Sequence, residues 1–246
     1  MQDSKIEWTD HTFNPWIGCQ KVSPGCDRCY AKTLMDDRYG RVQWGPHGER
    51  KRTSEGNWKL PLRWQKQAVI AGVRPKVFCA SLADVWDNQV HDEWRADLFQ
   101  LIRQTPNLDW LLLTKRPENI VKMLPKAIKD LPSWPWHNVW LGATAEDQAH
   151  FDRRWAVLKK IPAAARFISY EPALGPLNLP DDNLLDWVIC GGETGSGARR
   201  LKKRWARSLL VQCREKGVAF FMKQMTNKAP IPDDLLVREY PSVTKA

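Results

Sequence analysis

Six short apolar runs, each about 20 to 35 residues from the next, constrain what this chain can fold into more than any other feature. They occupy residues 76–81 (KVFCAS), 109–114 (DWLLLT), 139–144 (VWLGAT), 166–170 (RFISY), 187–191 (WVICG) and 218–222 (VAFFM). The runs are near-continuously hydrophobic rather than alternating, as strands covered on both faces are. Between them, apolar residues recur at helical spacing: Trp94, Leu98, Leu101 and Ile102; Phe151, Trp155 and Leu158; Trp205, Leu209 and Cys213. Pro117 suits the first turn of a helix. The alternation predicts an α/β chain: a parallel (β/α) barrel or partial barrel of about 6–8 strands, with a first strand at Trp16, Ile17 and Gly18. A doubly wound sheet gives the same string, so closure of the sheet stays open at this point.

A length of 246 residues suits one large domain, and a single unit over 1–246 is expected. Its parts are a cysteine loop at 16–30, an insertion at about 36–58 rich in Gly, Arg, His and Trp, and a C-terminal extension at about 225–246. Residues 131–136 (LPSWPW) read as a rigid aromatic turn. No uninterrupted apolar run is long enough to span a membrane, and residues 1–5 lack the apolar stretch of a secretory signal. A cytoplasmic protein without membrane contact is therefore expected.

Three of the six cysteines, Cys19, Cys26 and Cys29, fall within eleven residues. In a reducing compartment that crowding reads as metal ligation rather than as a disulfide framework. Pro24-Gly25 supplies the turn that brings Cys19 back beside the Cys26/Cys29 pair. Three thiolates on one loop can hold three irons of a [4Fe-4S] cluster and leave the fourth iron without a protein ligand, unlike the four cysteines that close an electron-transfer cluster. Radical chemistry with S-adenosylmethionine (SAM) requires such an open iron. The rival is structural zinc, whose fourth ligand would come from His11, His47 or Cys79.

A formal net charge of +10 favours an anionic partner, and fourteen tryptophans offer flat faces suited to nucleic-acid bases. Arg199, Arg200, Lys202, Lys203, Arg204 and Arg207 place six cations within nine residues, a candidate phosphate-contact strip or a solvated helix face.

Taken in order along the chain, several motifs are familiar: Lys5-Ile6-Glu7-Trp8-Thr9-Asp10, Asn14-Pro15-Trp16, Lys21-Val22-Ser23-Pro24-Gly25-Cys26 and Cys29-Tyr30-Ala31. They continue with Ser81-Leu82-Ala83-Asp84, Leu113-Thr114-Lys115-Arg116-Pro117, Ser169-Tyr170-Glu171-Pro172 and Gly191-Gly192-Glu193. On these residues the chain resembles the phage-associated, radical-SAM-like "three-Cys-motif" family of unknown function, and more distantly spore photoproduct lyase-like enzymes. The resemblance implies a radical SAM barrel, a [4Fe-4S] cluster, SAM, and an electron donor such as flavodoxin or ferredoxin. It leaves room for a partner protein, and its phage setting suggests DNA modification or DNA repair. Two departures from the ordinary radical SAM pattern stand out. Six residues separate Cys19 from Cys26 where three are usual, and Arg28 stands where an aromatic residue normally precedes the last cysteine.

In a barrel, the C-terminal ends of the strands face the active site. Those ends carry Ser81, Asp84, Thr114, Lys115, Arg116, Thr144, Ser169, Glu171, Gly191, Gly192, Glu193, Lys223 and Gln224. Glu171 and Glu193 are candidates to orient ribose hydroxyls or the SAM ammonium, and Lys115 and Arg116 to hold its carboxylate or a substrate phosphate. Glu171, Lys115 and Cys190 are the candidate catalytic groups. Cys190 is a possible hydrogen-atom donor whose plainer reading is a small buried hydrophobe.

Overall fold

The computed structural model describes residues 4–242; the last four residues of the expected C-terminal extension lie outside that range. The strands, in chain order, are β1 (His11–Thr12), β2 (Trp16–Ile17), β3 (Lys51–Arg52), β4 (Lys76–Cys79), β5 (Asp109–Thr114), β6 (Val139–Thr144), β7 (Ala165–Tyr170), β8 (Trp187–Gly191) and β9 (Ala219–Gln224). Helices α1 (Tyr30–Lys32), α2 (Glu55–Trp58), α3 (Leu60–Ala71), α4 (Asp92–Gln104), α5 (Pro117–Ala127), α6 (Gln148–Leu158) and α7 (Lys203–Lys216) intervene. Seven strands form one parallel sheet in the order β1-β4-β5-β6-β7-β8-β9, curled into a half-barrel. The partial-barrel expectation therefore holds, and the doubly wound alternative does not.

The first strand is not where the sequence pattern put it. His11 and Thr12 pair with Val77 and Phe78 at the edge of the sheet, whereas Trp16–Ile17 pairs antiparallel with Lys51–Arg52. The cause lies between them: Pro15 has no N–H to give a ladder, and the chain turns out of the sheet there. Thr53 donates from its hydroxyl to the Asn14 and Pro15 carbonyls and holds the departing segment. Gly18 follows at φ 107°, where a Cβ would stand 2.8 Å from the Glu49 carbonyl oxygen. Strand β3 and helix α2 thus give the expected insertion a structure of its own.

Each helix marked by periodicity is present, and Pro117 sits in the first turn of α5. One crossover differs: residues 171–186 join β7 to β8 without a helix. Pro172, Pro176 and Pro180 interrupt that stretch at four-residue spacing and deny it a continuous helical ladder.

The two faces of the half-barrel divide the core. Outward-facing residues such as Val77, Trp110, Leu112, Leu141, Ile168, Val188 and Phe220 pack under the helices. Inward-facing residues alternate with them, because successive side chains of a strand point to opposite faces. Phe78, Leu111, Trp140, Phe167, Trp187, Ile189 and Phe221 form a separate inner cluster, plugged by Trp8 from the N-terminal segment. Gly142 makes that packing possible: a Cβ there would lie 2.3 Å from the Phe167 ring. The bore is therefore filled with aromatic rings at its N-terminal end, and any site must open at the other.

Candidate active site at the strand ends

One or two inward residues further along the strands, the lining changes from aromatic to polar. Lys115, Thr144, Ser169, Glu171 and Lys223 border a cavity of about 350 Å³ above the aromatic plug, with Phe78, Leu113 and Trp8 at its floor. Cys19, Cys26 and Cys29 border the same cavity from the loop after β2, so the strand-end and cysteine motifs meet in one place. Among the described residues no other cysteine does: Cys79, Cys190 and Cys213 are buried in the helix-facing core. Burial drives the Cys79 and Cys190 thiols far up from their ordinary value. Cys190 accordingly sits on the outward face of β8, away from the cavity, in its plainer role as a small hydrophobe.

The cysteine loop is anchored by several elements. Arg116 donates to Cys19 Sγ from both terminal nitrogens, at 3.6 and 3.7 Å, and to the Gln20 carbonyl at 3.0 Å. The Gly25 N–H donates to Glu146 Oε1 at 3.3 Å. Arg199 donates to the Pro24 carbonyl at 2.8 Å and pairs with Asp27 at 3.3 Å. Tyr30, after Cys29 caps α1, donates its hydroxyl to the Ser81 carbonyl at 2.6 Å. These anchors come from the segments after β4, β5, β6 and β8, so several strands position the loop.

Behind these contacts lie buried ion pairs. Asp84 accepts from the Thr114 hydroxyl at 2.7 Å, the Lys115 N–H at 3.1 Å, the Arg116 guanidinium at 2.9 Å and the Trp86 N–H at 3.0 Å. Its oxygens are thus engaged by protein groups, while Asp84, Thr114 and Arg116 all border the cavity. Burial opposes the charge on Arg116, but Asp84 and Cys19 outweigh it and raise its pKa. Burial pushes the Cys19 thiol up to about 12 against the pull of Arg116. Glu146 pairs with Arg154 at 2.6 Å, both wholly buried; burial alone would raise its pKa, yet Arg154 keeps it below the ordinary carboxylate value.

Glu193 is likewise engaged. It pairs with Arg199, which outweighs burial and lowers its pKa, and it stands 3.8 Å from Arg28. Ser81, Lys115, Thr144, Ser169, Glu171, Gly192 and Gln224 keep their places on the cavity wall. Lys115 Nζ donates to the Thr144 hydroxyl at 3.3 Å, and Glu171 forms an ion pair with Lys223. Gly191 stands beside Glu171, and Gly192 lets the chain pass Thr226, whose backbone nitrogen a Cβ would meet at 2.5 Å.

The basic strip is divided by the fold. Helix α7 starts at Lys203, so Arg199, Arg200 and Lys202 lie in the loop before it. Arg199 is drawn into the cysteine-loop contact, and Arg207 pairs with Asp234 at 2.7 Å. Arg200, Lys202, Lys203 and Arg204 remain exposed. None of the fourteen tryptophans is fully exposed; nine are buried, while Trp44, Trp58, Trp94, Trp134 and Trp205 are half-buried, Trp44 beside the cavity. Glu146 and Arg154 were not singled out by sequence; Glu146 could have been, since it lies two residues beyond Thr144 at the next position of the same end of β6.

Among the described residues, no three His, Cys, Asp or Glu side chains converge tightly enough to hold a single metal ion. A cubane spreads its thiolates over separate irons, and three half-buried thiols around one cavity suit that donor set in kind and number. The other ligands considered for zinc, His11, His47 and Cys79, do not border the cavity.

Fold and site together define an α/β half-barrel protein with a cysteine-bordered cavity at its strand ends. The chain belongs to the family described as "Protein of unknown function (DUF5131)", whose model matches residues 3–235. No curated protein and no solved structure matches it. No helix among the described residues is long and apolar enough to cross a membrane.

Proposed function

We propose that this chain is a radical SAM-type iron–sulfur enzyme that acts on nucleic acid, in modification or lesion repair. The observation that supports it best is the meeting of Cys19, Cys26 and Cys29 on one cavity wall opposite polar strand ends. Those three thiolates would hold the cluster, and with no further cysteine on the wall one iron would stay open to SAM. With both cofactors bound, the chemistry supplied is reductive cleavage of the SAM sulfonium to an adenosyl radical.

The protein's own residues then have distinct tasks. Arg116, fixed by Asp84, steadies Cys19 and places positive charge beside its sulfur. Lys115 is placed to receive a carboxylate or phosphate, and Glu171, balanced by Lys223, to accept from hydroxyl or ammonium donors. The aromatic plug gives the cavity a rigid apolar floor beneath these groups. A nucleic-acid substrate is favoured by the net charge of +10 and by the exposed cations Arg200, Lys202, Lys203 and Arg204.

Anaerobic reconstitution with iron and sulfide tests the reading. About four irons per chain are expected, with 5′-deoxyadenosine released from SAM after reduction. Protein that takes up no iron and holds one zinc instead would overturn it in favour of a zinc-stabilised nucleic-acid-binding protein. SAM cleavage stimulated by a peptide or small metabolite, and not by nucleic acid, would move the substrate class alone.

A further inference from the structure

A second cavity, about 320 Å³, adjoins the first and shares Lys223 and Gln224 with it. It lies at the seam where the half-barrel fails to close, between the N-terminal segment that precedes edge strand β1 and the segments that follow the opposite edge strand, β9. The N-terminal segment serves both compartments: Ile6 and Trp8 face the cysteine-bordered cavity, while Lys5 and Glu7 face the seam. The two cavities are thus neighbours, with Lys223 and Gln224 common to both.

The chemistry of the seam is cationic over an apolar floor. Lys5, Lys223, Lys228 and Arg238 line it against the one carboxylate of Glu7, and residues 229–231 supply its apolar side. Glu7 is matched by Arg238 at 2.8 Å, and Lys223 by Glu171. Neither Lys5 nor Lys228 has a carboxylate partner among the described residues, so the compartment carries uncompensated positive charge. A cleft of this size admits one nucleotide unit but not a duplex.

We propose that the seam binds the phosphate of a single nucleotide unit, single-stranded or extruded from a helix, and presents it across Lys223 and Gln224 to the cysteine-bordered cavity. This rests on the nucleic-acid part of the proposed function and narrows it: the phosphate seat is the open seam of the barrel, not the strip on α7. SAM would occupy the first cavity, leaving the second for the substrate.

The full-length chain, titrated with a short fluorescein-labelled single-stranded DNA in an anisotropy assay, tests this. Lys5→Glu with Lys228→Glu should weaken binding about tenfold or more and lower the slope of log Kd against log salt by about 0.7, the value for one phosphate contact on a single strand. Lys203→Glu with Arg204→Glu should change binding less, a hairpin duplex of the same sequence should bind more weakly than the single strand, and inorganic phosphate should compete. Wild-type protein that binds no single strand, seam variants that bind like wild type, or a duplex bound equally well would each overturn it. Iron content and SAM cleavage, measured on the same preparations, separate the two failures. Iron-loaded, SAM-cleaving protein with no seam effect keeps the enzymatic reading and removes this one; iron-free protein with a full seam effect does the reverse.

Discussion

The lower and upper halves of the half-barrel's inner face are built from the same strands and do opposite work. Below, Phe78, Phe167 and Trp187 meet Trp8 ring to ring, and the Trp187 ring centroid lies 5.7 to 6.2 Å from those of Trp8, Trp140, Phe167 and Phe221. Above, only one or two inward residues further along, Lys115, Thr144, Ser169, Glu171 and Lys223 line an open cavity. The lower half supplies stability through buried area; the upper half holds buried charges and half-exposed thiols at a cost in stability. A rigid floor lets strand ends position reactive groups that would not hold their geometry on loops alone.

That division can be broken at four places, in descending order of effect. Replacing Cys26 and Cys29 by serine should abolish iron uptake and SAM cleavage while leaving the unfolding midpoint almost unchanged, because neither side chain belongs to the core; iron analysis and urea titration check both halves. Trp187→Ala should cost about 3–5 kcal/mol by urea unfolding, with iron uptake retained in the folded fraction. Arg116→Leu should cost about 3–5 kcal/mol, since it leaves Asp84 buried and unpaired. Adding Asp84→Asn should restore a large part of that loss, and a double-mutant cycle measures the coupling. Gly142→Ala should cost about 1–3 kcal/mol by overpacking against Phe167.

The smallest effect concerns pH and lies outside both halves. Burial would raise the Asp182 carboxyl, but the Trp155 indole N–H and Lys159 outweigh it and hold its pKa below the ordinary 3.8. A carboxylate depressed in the fold stabilises fully above its unfolded pKa and loses that contribution as pH falls through the folded one. Asp182→Asn should therefore be less stable than wild type at neutral pH, with the gap narrowing below about pH 4; paired thermal melts across that range check it.

How much of this was legible beforehand varied by residue. The strands at 109–114, 139–144 and 187–191 and the helices at α4, α6 and α7 could be read because burial on two faces or one leaves a local period. The cavity wall could be read in part, since polar residues ending apolar runs mark strand C-termini. Asp84 and Glu193 belonged to that list as ligand-facing groups and Arg199 to the basic strip, yet Asp84 is tied to Arg116, and Glu193 to Arg199, at the barrel mouth. Such pairings join residues as far apart as Arg199 and Pro24 and leave no local spacing to detect. Composition likewise counts aromatic rings without saying which side of the sheet they face.

By itself, then, the amino-acid order determined the alternation of strand and helix, the crowding of three thiols on one turn, and the excess of positive charge. Those are local or additive properties, carried by neighbours in the chain. Only the tertiary structure decided that β1 is His11–Thr12, that the sheet stays open at β9, that Cys190 lies in the core, and that Arg116 and Glu146 brace the cysteine loop. Each depends on which distant segments pack together, and packing is chosen by total burial and charge pairing rather than by any one stretch of sequence.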